Sequence, residues 1–280
     1  MKTLKYRSRG PEVFLLEEVL NILGYEVYVS QFFGRDTHLA ILEFQKENEL
    51  VVDGMVGLKT WAKLVEKKNL FTNFNSKLLS EQDLQDFADH YGLELPAVKA
   101  VNSVESRGKG FLVDGRAVIL FEGHVFWREL KKRGLNAQDF YNDKTKEVLY
   151  EKWTRKYYKG GSGEYSRLQK AIEISDLPEV ADAAYSSASW GAFQIMGYHY
   201  ENLGYASINE FVLKMQEHER EQLVAFGKFI SLNRFRGKTL TNWLKEKNWA
   251  NFAHGYNGPG YKQNKYDAKL RAAYERYRNQ

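Results

Sequence analysis

The sequence predicts a mainly α protein: a small three-helix domain followed by a larger α+β domain with one small β-hairpin. Three observations point there. Apolar residues recur at i, i+3 and i+4 through most of the 280 residues, the period of a helix with one buried face. One Asp-Gly pair, Asp114-Gly115, stands between two short β-prone runs, the pattern of a tight hairpin. The periodicity lapses over residues 69–79, which splits the chain into a small and an ordinary-sized domain.

Each element follows in order. Val13, Leu16, Val19, Leu20 and Leu23 mark a first helix stopped by Gly24. A second carries Leu39, Ile41, Leu42 and Phe44, and a third, short one follows Thr60-Trp61 with Leu64 and Val65. Phe33-Gly34-x-x-Thr37 and Val56-Gly57-x-x-Thr60 lead into helices in the same way, an internal repeat in which the threonines are expected to cap. Residues 69–79 read as a linker. Ser80 to Asp83 is a capping-box start for a helix through Leu84, Phe87 and Tyr91, closed at Gly92. Pro96 opens the next helix, whose stripe of Val98, Val101 and Val104 ends in Glu105. The hairpin, Phe111 to Phe121, is followed by Glu122 and a helix with Phe126, Trp127 and Leu130. The remainder reads as helical, broken at Gly160 to Gly163, Pro178, Ser186 to Ser189 and Gly255 to Gly260.

Composition narrows the chemistry. With 43% hydrophobic and 28% charged residues the chain is globular. It has no cysteine, which excludes disulfides, cysteine-based zinc sites and a thiol nucleophile. No His-Glu-x-x-His, phosphate loop or dinucleotide fingerprint is present, so no metal or cofactor is expected. Glu217-His218-Glu219 reads as a solvent-facing helical run. The net charge is +5, and residues 1–68 contribute none of it, with ten basic and ten acidic side chains. Lys262, Lys265, Lys269, Arg271, Arg276 and Arg278 stand against only Asp267 and Glu275, so the excess gathers on a basic C-terminal helix. That helix suits an acidic partner: nucleic acid, an anionic membrane surface or an anionic cell-wall polymer. No apolar region follows the basic start, Met1 to Gly10, and no stretch approaches the about 18–20 apolar residues of a membrane span. A monomer made in the cytoplasm without a signal peptide is expected, so that a substrate outside the cytoplasm would need something else to let the protein out.

Gly10 and Val13, Phe33 to Thr37, Phe44-Gln45 and Asp53 to Trp61 together resemble the three-helix peptidoglycan-binding domain over 1–68. One departure is Gln31-Phe32 where that family has Asp-Gly before Phe, which leaves the first turn open to another shape. A helix-end Glu105 followed by a hairpin resembles the lysozyme superfamily. Ser189-Trp190-Gly191-Ala192-Phe193-Gln194-Ile195-Met196-Gly197 and Ala253-His254-Gly255-Tyr256-Asn257-Gly258-Pro259-Gly260 are similar to signatures of goose-type lysozymes and lytic transglycosylases. Asn102 to Ser106 with Gly108, Gly110-Phe111, Asp114 to Arg116, Leu120 to His124 and Phe126-Trp127, together with Ser187 to Gly191, resembles the N-acetylmuramidase domain of phage endolysins, over most of 80–280.

The resemblance implies an anchor, 1–68, and a lysozyme-like catalytic domain, 80–280, that cuts the β-1,4 bond between N-acetylmuramic acid and N-acetylglucosamine in peptidoglycan. Such hydrolysis needs a protonated carboxyl at the leaving oxygen and usually a second group for the water, about 6.5–9.5 Å away for inversion. Glu105 is the implied acid. Glu122 is the preferred second carboxylate. Asp114 has the Glu-to-Asp interval of phage-type lysozymes, but it lacks the accompanying Thr, which is Leu120 here, and has a turn to make. Ser189, Trp190, Gln194, Tyr256, Asn257 and Tyr261 are the candidate substrate-binding residues, each also open to a packing role. A lytic transglycosylase and a non-catalytic wall-binding or tail protein remain the alternatives.

Overall fold

The computed structural model describes residues 3–67, 77–106 and 110–280. The expected linker lies mostly outside them, as does Gly108 of the muramidase-like motif. Three helices come first: α1 (Pro11–Ile22), α2 (Arg35–Glu47) and α3 (Leu58–Glu66). Then follow α4 (Glu81–Tyr91), α5 (Leu95–Val101), a π-helical turn (Asn102–Ser106), strand β1 (Ile119–Phe121), α6 (Gly123–Lys132), α7 (Gly163–Ile172) and α8 (Pro178–Ser186). The last part holds β2 (Ala188–Trp190), β3 (Ile195–Met196), α9 (Ile208–Glu217), α10 (Glu219–Leu232), the short hairpin β4 (Arg234–Phe235) and β5 (Lys238–Thr239), α11 (Leu240–Lys245), α12 (Trp249–Asn257) and α13 (Tyr266–Arg278). The fold is mainly α with only small antiparallel strands. Among the described residues no helix is long and apolar enough to cross a membrane, and no group of three or more His, Asp or Glu side chains is placed to hold a metal.

The chain forms two compact units: residues 1–75 with 111–188, and residues 76–110 with 189–280. In the first, the stripe of α1 is buried as its spacing predicts, and Leu16, Phe33, Ile41 and Phe44 form the middle of the N-terminal core. Val113, from far along the chain, packs into this same core.

The internal repeat is closer than its residues indicate. In the second copy, Gln45 accepts the N–H groups of Asp53 at 3.2 Å and Gly54 at 2.9 Å, and donates to Thr60 Oγ1 at 3.3 Å. In the first, Glu17 accepts the N–H groups of Ser30 at 2.7 Å and Gln31 at 3.0 Å, and the Thr37 hydroxyl at 3.1 Å. Gln31 and Gly54 share a left-handed backbone, φ +67° and +69°. The first turn therefore keeps its shape without Asp-Gly, because the contacts to Glu17 outweigh the about 1–2 kcal/mol of placing a side chain there. Neither threonine caps its helix. The N-cap positions are Gly34 and Gly57, without side-chain bonds. The threonines are buried one turn in, where each hydroxyl is used to hold the preceding turn.

The expected hairpin at 111–121 is reduced to one antiparallel bridge, Phe111 to Ala117. Gly115 N–H donates to Leu112 O at 2.9 Å and Leu112 N–H to Arg116 O at 2.7 Å. The loop is thus three residues, Val113 to Gly115, with Gly115 at φ +81°, rather than a two-residue Asp-Gly turn.

In the second unit the capping box of α4 forms as read, with Ser80 and Asp83 bonding reciprocally and Gly92 closing the helix at φ +61°. Pro96 lies in the first turn of α5. Residues 188–196 form a hairpin that pairs Ser189 with Met196 and Trp190 with Ile195. Glu219 is not solvent-facing. Its carboxylate is buried and takes the N–H groups of Leu79 at 2.9 Å and Gly110 at 3.0 Å.

Candidate active site

Glu105 lies on the π-helical turn that continues α5. An i→i+5 turn widens the helix by one residue and is a frequent way to turn a side chain out of its regular stripe. Val98 and Val101 stay in the core, while Val104 and Glu105 are half-buried. Asn257, the last residue of α12, donates from Nδ2 to Glu105 Oε1 at 3.2 Å. Beside it Tyr256 donates its hydroxyl to Phe193 O at 2.6 Å and lies among the rings of Phe226, Phe229 and Phe252. Burial keeps its phenol well above the ordinary value and the Glu105 charge adds to this, so Tyr256 stays protonated.

The hairpin of β2 and β3 supplies the next group. Ser189 Oγ donates to Gln194 Oε1 at 2.8 Å, and Gln194 Nε2 donates to Gly191 O at 2.8 Å. Gln194 is exposed at φ +50°, a left-handed backbone that its side-chain bonds hold in place. Below it the buried Gln222 accepts Ala192 N–H at 2.7 Å and donates to Gly110 O at 3.2 Å and Met215 O at 2.8 Å. A Cβ at Gly191 or Gly110 would fall 2.5 Å from Gln222, so only glycine admits this cross-link.

In the other unit Glu122 directly follows β1 and is the N-cap residue of α6. Its own N–H donates to Ser187 O at 3.0 Å. The Tyr158 hydroxyl donates to its Oε2 at 2.6 Å, and His124 Nδ1 lies 3.4 Å from the same oxygen. Burial raises the Glu122 pKa above the usual carboxylate range, while Tyr158 and the charge of Arg167 pull it back. Burial and Arg128 lower His124, which leaves it neutral at neutral pH. The neighbours of Glu122 are clamped by a buried ion pair, Glu164 with Arg167 at 2.7 Å. Glu164 takes Phe121 N–H at 3.2 Å, Arg167 donates to Phe121 O at 2.7 Å, and Tyr150 Oη takes Gly123 N–H at 3.3 Å.

Residues 94–278 match the N-acetylmuramidase family, and residues 9–64 match the peptidoglycan binding domain family. The chain belongs to the N-acetylmuramidase family. This muramidase is also similar to the crystal structure of Burkholderia AP3 phage endolysin, at 39% sequence identity and a TM-score of 0.65, with 100% of each chain covered.

The remaining sequence candidates of the muramidase take different places. Asp114 is spent on its turn: it accepts Arg116 N–H at 3.0 Å and pairs with the Arg116 guanidinium at 2.5 Å. Trp190 is 1% exposed, so its ring belongs to the core, and Tyr261 is 7% exposed against His254. Thus Glu105 with Tyr256 and Asn257 form one group, Ser189 with Gln194 a second, and Glu122 stands with His124 of its own motif and with residues that no motif includes. Of these, Tyr158 precedes the noted glycine break, while Glu164 and Arg167 have the i, i+3 spacing of an ordinary exposed pair. Nothing local marks them as buried.

Proposed function

We propose that this muramidase works as a phage endolysin, hydrolysing the β-1,4 bond between N-acetylmuramic acid and N-acetylglucosamine in the periplasm. Glu105 is the general acid that protonates the glycosidic oxygen. Asn257 donates to one carboxyl oxygen and thereby favours the acidic proton on the other. Glu122 is the base that takes a proton from the attacking water. Its burial supports this role, since a carboxylate raised toward the working pH is a stronger base while still ionised. Gln194, Ser189, Tyr256 and Asn257 offer amide, hydroxyl and carbonyl groups suited to acetamido sugars, with Trp190 and Tyr261 supporting them from the core. Residues 1–68 anchor the enzyme to the wall, and 80–280 carry the chemistry.

The carrying observation is the pair of differently held glutamates, Glu105 on a π turn bonded to Asn257 and Glu122 half-buried beneath Tyr158, in a chain of this family. Mass spectrometry of muropeptides released from purified sacculi tests it. Reducing N-acetylmuramic acid ends are expected, and Glu105→Gln and Glu122→Gln should each lose at least about a hundredfold in rate. Anhydro ends throughout would make the enzyme a lytic transglycosylase, and undiminished lysis by Glu105→Gln would remove Glu105 from the acid role.

The protein acts as a monomer. Lys262, Lys265, Lys269, Arg271, Arg276 and Arg278 are all exposed on and just before α13, facing anionic wall polymer or outer-membrane phosphates. Replacing four of them with Gln should weaken sacculus binding at low salt and flatten its salt dependence. Equal binding across salt would refute the electrostatic role.

A further inference from the structure

Glu18 takes no part in the chemistry above, yet it is completely buried on α1. Its Oε1 accepts Ser162 N–H at 2.9 Å, and its Oε2 has no hydrogen-bond partner among the described residues. A half-satisfied buried carboxylate is costly, so its presence calls for something that it holds. What it holds is the segment 158–163. Gly160 and Gly161 have φ +69° and +49°. A Cβ on Gly160 would fall 2.4 Å from Val29 O, and one on Gly161 would fall 1.8 Å from Glu18 Oε1. This segment therefore meets the N-terminal helical part at backbone distance.

The same segment reaches Glu122 from its other side. It carries Tyr158, the hydroxyl donor to Glu122 Oε2 at 2.6 Å. Its Lys159 and Gly160 N–H groups donate to Glu164 Oε1 at 2.7 and 2.9 Å, and Glu164 is the residue that also holds Phe121, next to Glu122. An unbroken set of bonds thus runs from α1 through five residues of loop to the candidate second carboxylate.

We propose that the N-terminal helical part keeps Glu122 in its working state: Glu18 pins the 158–163 segment, and the segment presents Tyr158 to Glu122. Tyr158 is a positioning residue for Glu122, and Glu18 acts through it. The proposal rests on Glu122 being the base of the reaction. The groups facing Glu122 are Tyr158, Tyr150, His124, Glu164, Arg167 and Arg155. Tyr158 is raised by burial and by Glu122, so it remains a donor throughout the working range, and it is among the groups that hold the Glu122 pKa down. When Tyr158 withdraws, the Glu122 pKa rises and less of it is ionised. The ascending, acid-side limb of kcat/KM against pH then moves to higher pH.

The experiment uses the full chain, with reducing ends released from purified sacculi measured between about pH 4 and 8. Tyr158→Phe removes the donor, Glu18→Ala removes the pin, and Gly161→Ala drives a methyl onto Glu18 Oε1. All three are expected to move the ascending limb upward, by about half to one pH unit. Glu18→Gln retains an acceptor oxygen for Ser162 and should restore the wild-type limb. Loss of folded protein changes the amplitude of the profile but not the position of the limb. Should Gly161→Ala fail to fold, Glu18→Ala read against Glu18→Gln carries the test. A wild-type limb in Glu18→Ala and Gly161→Ala would overturn the pin, and a wild-type limb in Tyr158→Phe would overturn the positioning role. Full activity in Glu122→Gln would instead remove the base assignment on which the proposal stands.

Discussion

At the scale of single residues, buried glutamates do work for which the sequence offers only a carboxyl in a helix. Glu17 and Glu18 are neighbours on α1 and both are fully buried. Glu17 closes the first repeat turn, and Gln31 takes the left-handed position that glycine holds in the second. Gln31→Gly should therefore raise stability by up to about 1 kcal/mol, the steric gain less the extra freedom of glycine in the unfolded chain, measured as a higher urea midpoint. Glu18 has a pH signature. Burial lifts its pKa to about 7 from 4.5, with Asp114 adding and Ser162 and Arg116 opposing. The folded protein thus keeps a proton that the unfolded chain loses. The stabilisation is complete below about pH 4.5 and is lost as pH rises through 7, at most about 3 kcal/mol. Denaturant midpoints of Glu18→Gln across that window should show a flatter fall than wild type. None of this was legible in the sequence, because spacing along α1 reports which side chains share a face and not how deep a polar one lies.

At the scale of elements, helices were legible and irregular segments were not. The stripe of α1, the capping box of α4 and the apolar face of α6 formed where their residues placed them, because i, i+3 and i+4 contacts and caps are local. The π turn was not legible. It continues α5 where α13 packs against both elements, so its register is settled by a helix over a hundred residues away. The β2–β3 hairpin had no Asn-Gly or Asp-Gly signal, and its turn depends on Gln222 from α10. Gln222→Leu should leave Ala192 N–H, Gly110 O and Met215 O without their partner, costing about 3 kcal/mol, visible in thermal unfolding. The same variant should lower activity by loosening the hairpin that carries Ser189 and Gln194.

At the scale of the whole molecule, the N-terminal repeat is joined to more than its own core. Val113 packs among its apolar residues, and Glu18, Val29 and the 160–162 backbone meet closely. Leu16→Ala, which removes a fully buried side chain, should cost about 2–5 kcal/mol and lower hydrogen-exchange protection over 158–172 as well as over 3–67. A response confined to 3–67 would mean that the two segments open independently.

The sequence by itself determined the family, the helical character and the concentration of positive charge at the C-terminus. These rest on residue types, short motifs and local periods, all of which a linear chain displays. Only the tertiary structure decided what stands around each carboxylate: Asn257 on Glu105, Tyr158 on Glu122, and Ser162 on Glu18. Those partners lie from 36 to 152 positions apart in the chain. Burial and hydrogen bonding between such distant groups are made by folding alone, and they are what give chemically identical glutamates different surroundings.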